Sequence, residues 1–85
     1  MECTLDMLKK GEKCRITEVC ADGALKRRFY DIGLTEDAVV QFALCAPFGD
    51  PLAYVIRGAV IAIRRDDGKK VKCVLEPLAK ERRRI

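Results

Sequence analysis

The chain has 85 residues, 49% of them hydrophobic and 35% charged, a composition typical of one small globular domain. Its formal net charge of +4 favours an acidic partner but is too small to indicate a nucleic-acid-binding protein. No apolar run approaches the roughly 18 residues of a membrane-spanning helix, and the N-terminus lacks the apolar core of a signal peptide. We therefore expect a cytoplasmic protein that does not insert into a membrane.

The first twenty residues predict a short turn followed by a strand. Thr4 is placed to cap a turn over residues 5–10, which Gly11 closes. The strand over residues 12–20 alternates apolar and polar side chains as far as Val19, whose shift of phase indicates a bulge.

One helix is predicted, over residues 22–34. Its apolar stripe recurs at i, i+4 and i+7 and consists of Leu25, Phe29 and Ile32. Asp22 is the candidate N-cap, and Gly33 is the candidate left-handed residue that follows the helix. This is the only strongly periodic helical segment in the chain.

The remainder of the chain predicts strands separated by turns. Apolar alternation is found at residues 38–46, 52–56, 61–63 and 71–75. In the first of these segments the side chains predicted to share a face are Val40, Phe42 and Leu44. Residues 65–70 (RDDGKK) predict a polar turn.

Together these elements predict an all-β fold with one short helix, namely a small closed barrel of about five strands. Closure is favoured because it hides the sheet edges of a short chain. We assign residues 1–77 to the domain and residues 78–85 to a basic tail or short terminal helix. The predicted core is Leu25, Phe29, Ile32, Val40, Phe42, Ile61, Ile63 and Val71.

The connection PFGDP links two of the predicted strands and is the first candidate contact surface. Two prolines in five residues cannot donate to a sheet ladder, and the glycine permits a positive φ. Asp50 is expected to bond its own local backbone. Phe48, a large apolar residue in a polar turn, either folds back on the core or awaits a partner. The loop consists of Pro47, Phe48, Gly49, Asp50 and Pro51.

The side-chain inventory argues against an enzyme, a cofactor and a resident metal. The chain has no histidine and no serine, and it has no phosphate-binding glycine loop. The acidic pair within RDDGKK lacks the spacing of a calcium loop. The cysteines are odd in number and unpaired in spacing, so we interpret them as reduced, core-filling thiols. They are Cys3, Cys14, Cys20, Cys45 and Cys73.

Basic side chains form a second candidate contact surface. Lys26, Arg27 and Arg28 follow one another on the predicted helix, and residues 82–84 are all arginine. Runs of this kind are usually solvated, and here they are not interleaved with enough aromatic residues for single-stranded nucleic acid. We retain Arg27 and Arg28 as candidates for contact with an acidic partner.

Four motifs, in order, resemble the FeoA family. They are an LxxLKKGE-like start with an ITEV strand, the helix segment RRFYDIGL, the loop and strand APFGDPLAYVIRG, and the strand and turn AVIAIRRDD. The resemblance covers about residues 4–76. It departs from the family pattern at Asp37, where glycine is usual, and at Gly68, where alanine is common.

The resemblance implies an SH3-like barrel acting as a cytosolic accessory protein of bacterial ferrous iron uptake. It further implies a membrane partner, an FeoB-like permease with a cytosolic G domain, bound through barrel loops. Two alternatives remain open: a barrel related to the SH3-like domains of iron-dependent repressors, and a small basic nucleic-acid-binding barrel. The sequence does not distinguish whether this protein stimulates GTP hydrolysis, gates transport or only assembles the complex, and it leaves transient iron binding and oligomeric state open.

Overall fold

The computed structural model describes residues 2–76, which form one antiparallel sheet with helical connections. The strands are β1 (Glu2–Thr4), β2 (Lys13–Val19), β3 (Val39–Cys45), β4 (Leu52–Ile56), β5 (Ala59–Ile63) and β6 (Val71–Leu75). The helical elements are a 3-10 turn (Leu5–Met7), α1 (Gly23–Asp31) and the single-turn α2 (Arg65–Gly68). Strand order is β1-β6-β2-β3-β4-β5, and the predicted class of a small SH3-like barrel with one short helix is confirmed. The end strands β1 and β5 do not pair with each other among residues 2–76, so the expected closure by strand pairing is not observed. The predicted tail over residues 78–85 lies outside the described residues.

Two elements differ from the sequence prediction. Strand β1 was not predicted, since three residues are too few to show alternation; it pairs antiparallel with β6. The predicted polar turn over residues 65–70 contains α2, whose Gly68 N–H donates to the carbonyl oxygen of Arg64 at 2.9 Å. Gly68 is buried against the 3-10 turn, so a tertiary contact holds this turn of helix.

Bulges set which side chains of β2 and β3 face the core. The register of β2 against β6 shifts between Ile16 and Glu18, which confirms the predicted bulge and buries Val19. A second register shift lies between Phe42 and Leu44 on β3. It turns Leu44 outwards to 54% exposure, so the expectation that Leu44 shares the core face with Phe42 is wrong.

Helix α1 ends as predicted but does not begin as predicted. Gly33 has φ +99°, its N–H donates to Tyr30 at 3.1 Å, and the N–H of Leu34 donates to Phe29 at 2.8 Å. These two bonds form a Schellman motif, which satisfies carbonyl groups at the helix end. Asp22 occupies the N-cap position, but its side chain makes no capping hydrogen bond.

The 3-10 turn is also capped differently from the prediction. Thr4 precedes this turn, but its hydroxyl group hydrogen-bonds the carboxylate of Asp6 instead of a backbone N–H. The turn is held instead through Leu5, which is fully buried and whose carbonyl oxygen accepts a hydrogen bond from the buried Tyr54 hydroxyl at 2.9 Å.

The core lies inside the curved sheet and against α1. Of the eight side chains predicted inside, five are buried: Phe29, Val40, Phe42, Ile63 and Val71. The other three are half-buried at its margin: Leu25, Ile32 and Ile61. Within residues 2–76, none of the helices is long and apolar enough to cross a membrane.

Candidate functional site

The PFGDP loop, Pro47 to Pro51, is a defined turn between β3 and β4. The N–H of Gly49 donates to the carbonyl oxygen of Ala46 at 2.9 Å, which closes a four-residue turn with Pro47 at its second position. The N–H of Ala46 donates to the carbonyl oxygen of Pro51 at 3.0 Å. Gly49 has φ +91°, in the left-handed region that favours glycine. These hydrogen bonds and the residue types of the loop therefore define its backbone conformation.

Arg65, at the start of α2, fastens this loop to the rest of the protein. Its guanidinium donates to the carbonyl oxygen of Gly49 from Nη2 at 3.0 Å and from Nε at 3.2 Å. Its backbone N–H donates to Asp50 Oδ1 at 2.8 Å. Asp50 thus bonds a backbone group fifteen residues away instead of its own local backbone. Sequence reasoning missed Arg65 because no local pattern links these two segments.

Phe48 is the most exposed large apolar side chain in the described part of the protein, at 98% of its surface. It does not fold back on the core. Leu44, near the end of the strand that leads into the loop, is also 54% exposed. A rigid loop that presents an aromatic ring to water is typical of a contact surface, because the ordering cost of docking is already reduced.

Positive charge adjoins the loop on the side of α2. A shallow cleft beside it is lined by Asp50, Pro51 and Arg64. Arg64 is exposed, whereas the Asp50 carboxylate already accepts a hydrogen bond from the backbone of Arg65. The cleft therefore carries two opposite charges, and the exposed guanidinium of Arg64 is the one that suits an acidic group of a partner.

Arg27 and Arg28 lie on a different surface. Both are exposed on α1, where they line a shallow cleft with Gly23, Ala24 and Asp31. This lining set shares no residue with the cleft beside the loop. The neighbouring Lys26 ammonium lies 5.7 Å from the centre of the Tyr30 ring. The structure therefore presents the two candidate surfaces separately.

The expectation that all five cysteines fill the core is wrong, because Cys20 and Cys45 are exposed. The other three converge, which no sequence spacing indicated. Cys3 Sγ lies 3.6 Å from Cys73 Sγ, directly across β1 and β6. Burial, followed by the contact with Cys73, raises the pKa of Cys3 to about 11. The hydrogen bond that the Cys73 thiol donates to Cys14, followed by burial, raises the pKa of Cys73. Cys3 and Cys73 are therefore protonated at neutral pH.

Metal binding has no preformed site in the described part of the chain. Within residues 2–76, no group of three or more histidine, cysteine, aspartate or glutamate side chains is arranged to hold a metal ion. Raised thiol pKa values also oppose metal binding, since the thiolate is the form that ligates.

Comparison with known proteins places these features in a family. The model for the FeoA domain matches residues 3–75. A Porphyromonas gingivalis fusion of Fe(2+) transport protein A and the Fe(2+) transporter FeoB is 28% identical over 71 residues, which are 84% of this chain and 8% of that protein. The chain thus spans about a twelfth of that relative.

Solved structures share the fold. The solution structure of a Chlorobium tepidum FeoA protein is 31% identical, with TM-score 0.77, over 91% of this chain and 71% of that one. A Stenotrophomonas maltophilia FeoA crystallised with zinc, an SH3 domain protein, is 23% identical with TM-score 0.68, over 87% and 89%. A manganese-dependent transcriptional repressor is 18% identical with TM-score 0.80, over 88% and 37%. The last two likenesses show the fold alone.

Proposed function

Because the chain belongs to the FeoA family, we propose that it is a cytosolic accessory protein of bacterial ferrous iron uptake. Its partner is an FeoB-like permease, which it binds on the cytosolic side through the PFGDP loop. The observation that carries this proposal is the exposure of Phe48 on a loop that Arg65 holds in place. The protein acts by binding and carries out no catalysis of its own.

The fusion relative supports the choice of partner. In that protein a segment similar to this chain is joined covalently to a ferrous iron transporter. A covalent link keeps two domains at high effective concentration, which is useful where they act on each other. A separate chain needs a contact surface to reach the same arrangement, and Phe48 supplies an apolar anchor for one.

The size of the anchor sets the expected affinity contribution. Full burial of an aromatic side chain contributes roughly 1.5–3 kcal/mol, and anchors of this type dominate many interfaces. Removing the ring therefore lowers affinity by about ten- to a hundredfold. None of the loop's hydrogen bonds described above involves the Phe48 side chain, so removal of the ring leaves them in place.

The test measures binding of the purified chain to the cytosolic part of an FeoB-like permease, with and without a GTP analogue. Phe48→Ala is expected to weaken binding about tenfold or more and to leave the melting temperature unchanged. Arg27→Glu is the comparison on the separate α1 surface and is expected to bind as the wild type does. If Arg27→Glu alone abolishes binding, the contact surface is α1. If Phe48→Ala binds normally, the loop has only a structural role.

A further inference from the structure

Strand β5 forms one end of the sheet. Within residues 2–76 its only ladder is with β4, in a register that runs without a shift from Ile56 opposite Ala59 to Leu52 opposite Ile63. In an antiparallel edge strand, alternate residues direct their N–H and C=O groups away from the sheet. This outer side of β5, which we term the β5 edge, is a template for a further strand.

The side chains along the β5 edge do not protect it. The strand reads AVIAI, with no charge, no proline and no bulge, the usual devices that block pairing at an edge. Val60 is 67% exposed, and Ala62 on the same face is exposed too. Small apolar side chains of an added strand would cover this face.

Arginines stand at both ends of β5. Arg57 and Gly58 form the two-residue turn from β4, with φ of 52° and 82°, as in a type I′ hairpin. Arg64 and Arg65 follow the last residue of the strand. Asp66 and Asp67 come next and are followed by Lys69 and Lys70, with the Asp66 carboxylate 3.8 Å from the Lys69 ammonium.

This arrangement disfavours a second copy of the chain as the occupant. Antiparallel self-pairing centred on Ile61 would bring Arg57 of each copy opposite Arg65 of the other. Gly58 would then stand opposite Arg64, and one Arg57–Arg65 pair would form at each end. Like charges placed opposite each other destabilise a strand pair. An extended segment with acidic residues at its ends is instead complementary at both ends.

We propose that the β5 edge binds an extended segment of the partner as an added strand, apolar at its centre and acidic at both ends. This inference rests on the proposed function, because it names how the same partner is held. Main-chain hydrogen bonds supply the affinity of such an added strand, and its alternate side chains supply the specificity.

The β5 edge is continuous with the loop that carries Phe48. Arg64, which follows β5, lines the cleft with Asp50 and Pro51. The next residue, Arg65, holds the Gly49 carbonyl oxygen. An acidic residue at the end of the added strand would therefore reach Arg64 as the partner's apolar surface meets Phe48.

A synthetic peptide tests the edge directly. The probe is a nine-residue peptide of alternating valine and threonine with two acidic residues at each end, titrated into the isotopically labelled full chain. We expect amide chemical shifts to move along β5 and in the loop, and the affinity to fall as salt is raised. A peptide with lysines in place of the acids is expected to bind at least tenfold more weakly.

Two controls separate main-chain pairing from apolar adhesion. A probe that is N-methylated at alternate residues loses its N–H donors along one side only. The form methylated on the side away from β5 is expected to bind, and the form methylated on the side facing β5 is expected to fail. Val60→Lys is expected to weaken binding of the acidic probe at least fivefold. Val39→Lys, at a 45% exposed position on the interior strand β3, is the control and is expected to leave that binding unchanged. Equal binding of both methylated forms, or shifts confined to α1, would overturn the proposal.

The remaining outcomes bear on the occupant and on the proposed function. Concentration-dependent dimers that show the same chemical shift changes along β5 would mean that the edge binds a second copy of the chain instead of a partner. Slow hydrogen exchange at outward-facing β5 amides in the free protein would mean that the chain covers its own edge. If Val60→Lys leaves permease binding intact while Phe48→Ala abolishes it, this inference fails and the proposed function stands. If the acidic probe binds but the permease does not, the β5 edge binds an acidic strand, whereas the proposed function and the permease as the source of that strand both fail.

Discussion

The guanidinium of Arg65 donates two hydrogen bonds to the carbonyl oxygen of Gly49, from Nη2 at 3.0 Å and from Nε at 3.2 Å. A charged donor makes such bonds stronger than neutral ones. They join the β3–β4 loop to the connection between β5 and β6. The tip that carries Phe48 and the end of the β5 edge are therefore directly linked.

Replacing Arg65 is the first test of this coupling. Arg65→Ala removes both bonds to Gly49, and we expect partner affinity to fall several-fold because the loop must then be ordered on binding. Arg65→Lys keeps the charge but lacks the planar fork, so it is expected to recover only part of the loss. Calorimetric titration measures the affinities. Arg27→Lys, on α1, is the control, and wild-type affinity for Arg65→Ala would contradict the coupling.

The local parts of the fold could be predicted from the sequence. Alternation located the longer strands, the shifted phase of Val19 indicated the bulge in β2, and Gly33 marked the end of α1. These features depend on residues close together in the chain. Strand β1 and the outward turn of Leu44 depend on pairing partners far away, which no local pattern encodes.

The candidate site, like the fold, could be predicted from the sequence only where it depends on neighbouring residues. The turn at Gly49 could be read from its residue types, because proline and glycine restrict the backbone locally. Its attachment to Arg65 could not, since the contact joins residues sixteen positions apart. Exposure of Phe48 was one of two outcomes that the sequence left open, because burial depends on the whole fold.

Gly33 tests how the end of α1 is packed. A Cβ atom at this position would lie 2.7 Å from Cδ and Nε of Arg57, in addition to the strain of φ +99°. Gly11 has φ +84° with no atom within 4 Å of such a Cβ, so Gly11→Ala isolates the backbone strain of about 1–2 kcal/mol. Chemical denaturation is expected to show a slightly larger loss for Gly33→Ala, because the exposed Arg57 side chain must move aside. Combining it with Arg57→Ala should reduce the loss to that of Gly11→Ala; an unchanged loss would refute the contact.

The hydroxyl of Tyr54 tests how the 3-10 turn is held. It is buried and donates to the carbonyl oxygen of Leu5 at 2.9 Å. Tyr54→Phe leaves that buried acceptor without its donor, which is expected to lower the free energy of unfolding by about 1–3 kcal/mol. Tyr30→Phe is the matched control, since the Tyr30 hydroxyl donates to Glu36 at the surface. Equal and small losses for both variants would show that the buried bond contributes nothing.

Alkaline pH tests the thiol cluster between β1 and β6. An ordinary cysteine has a pKa of 9.0, whereas burial and the neighbouring Cys73 raise the pKa of Cys3 to about 11. As the pH rises from 9 to 11, the unfolded chain therefore loses this proton before the folded protein does. Linkage then requires the free energy of unfolding to fall across that window, and the contribution to be fully present below pH 9.

Denaturant titrations at pH 8, 9, 10 and 11 measure this fall, and Cys3→Ala is expected to make it shallower by removing the group that titrates. Cys45→Ala is the matched control because Cys45 is exposed, and its pH dependence is expected to follow that of the wild type. Lysine and tyrosine titrations are common to all three proteins, so the difference between their curves reports the loss of Cys3 and of its contact with Cys73. A Cys3→Ala curve parallel to the wild type between pH 9 and 11 would show that burial and the contact with Cys73 do not raise the pKa of Cys3.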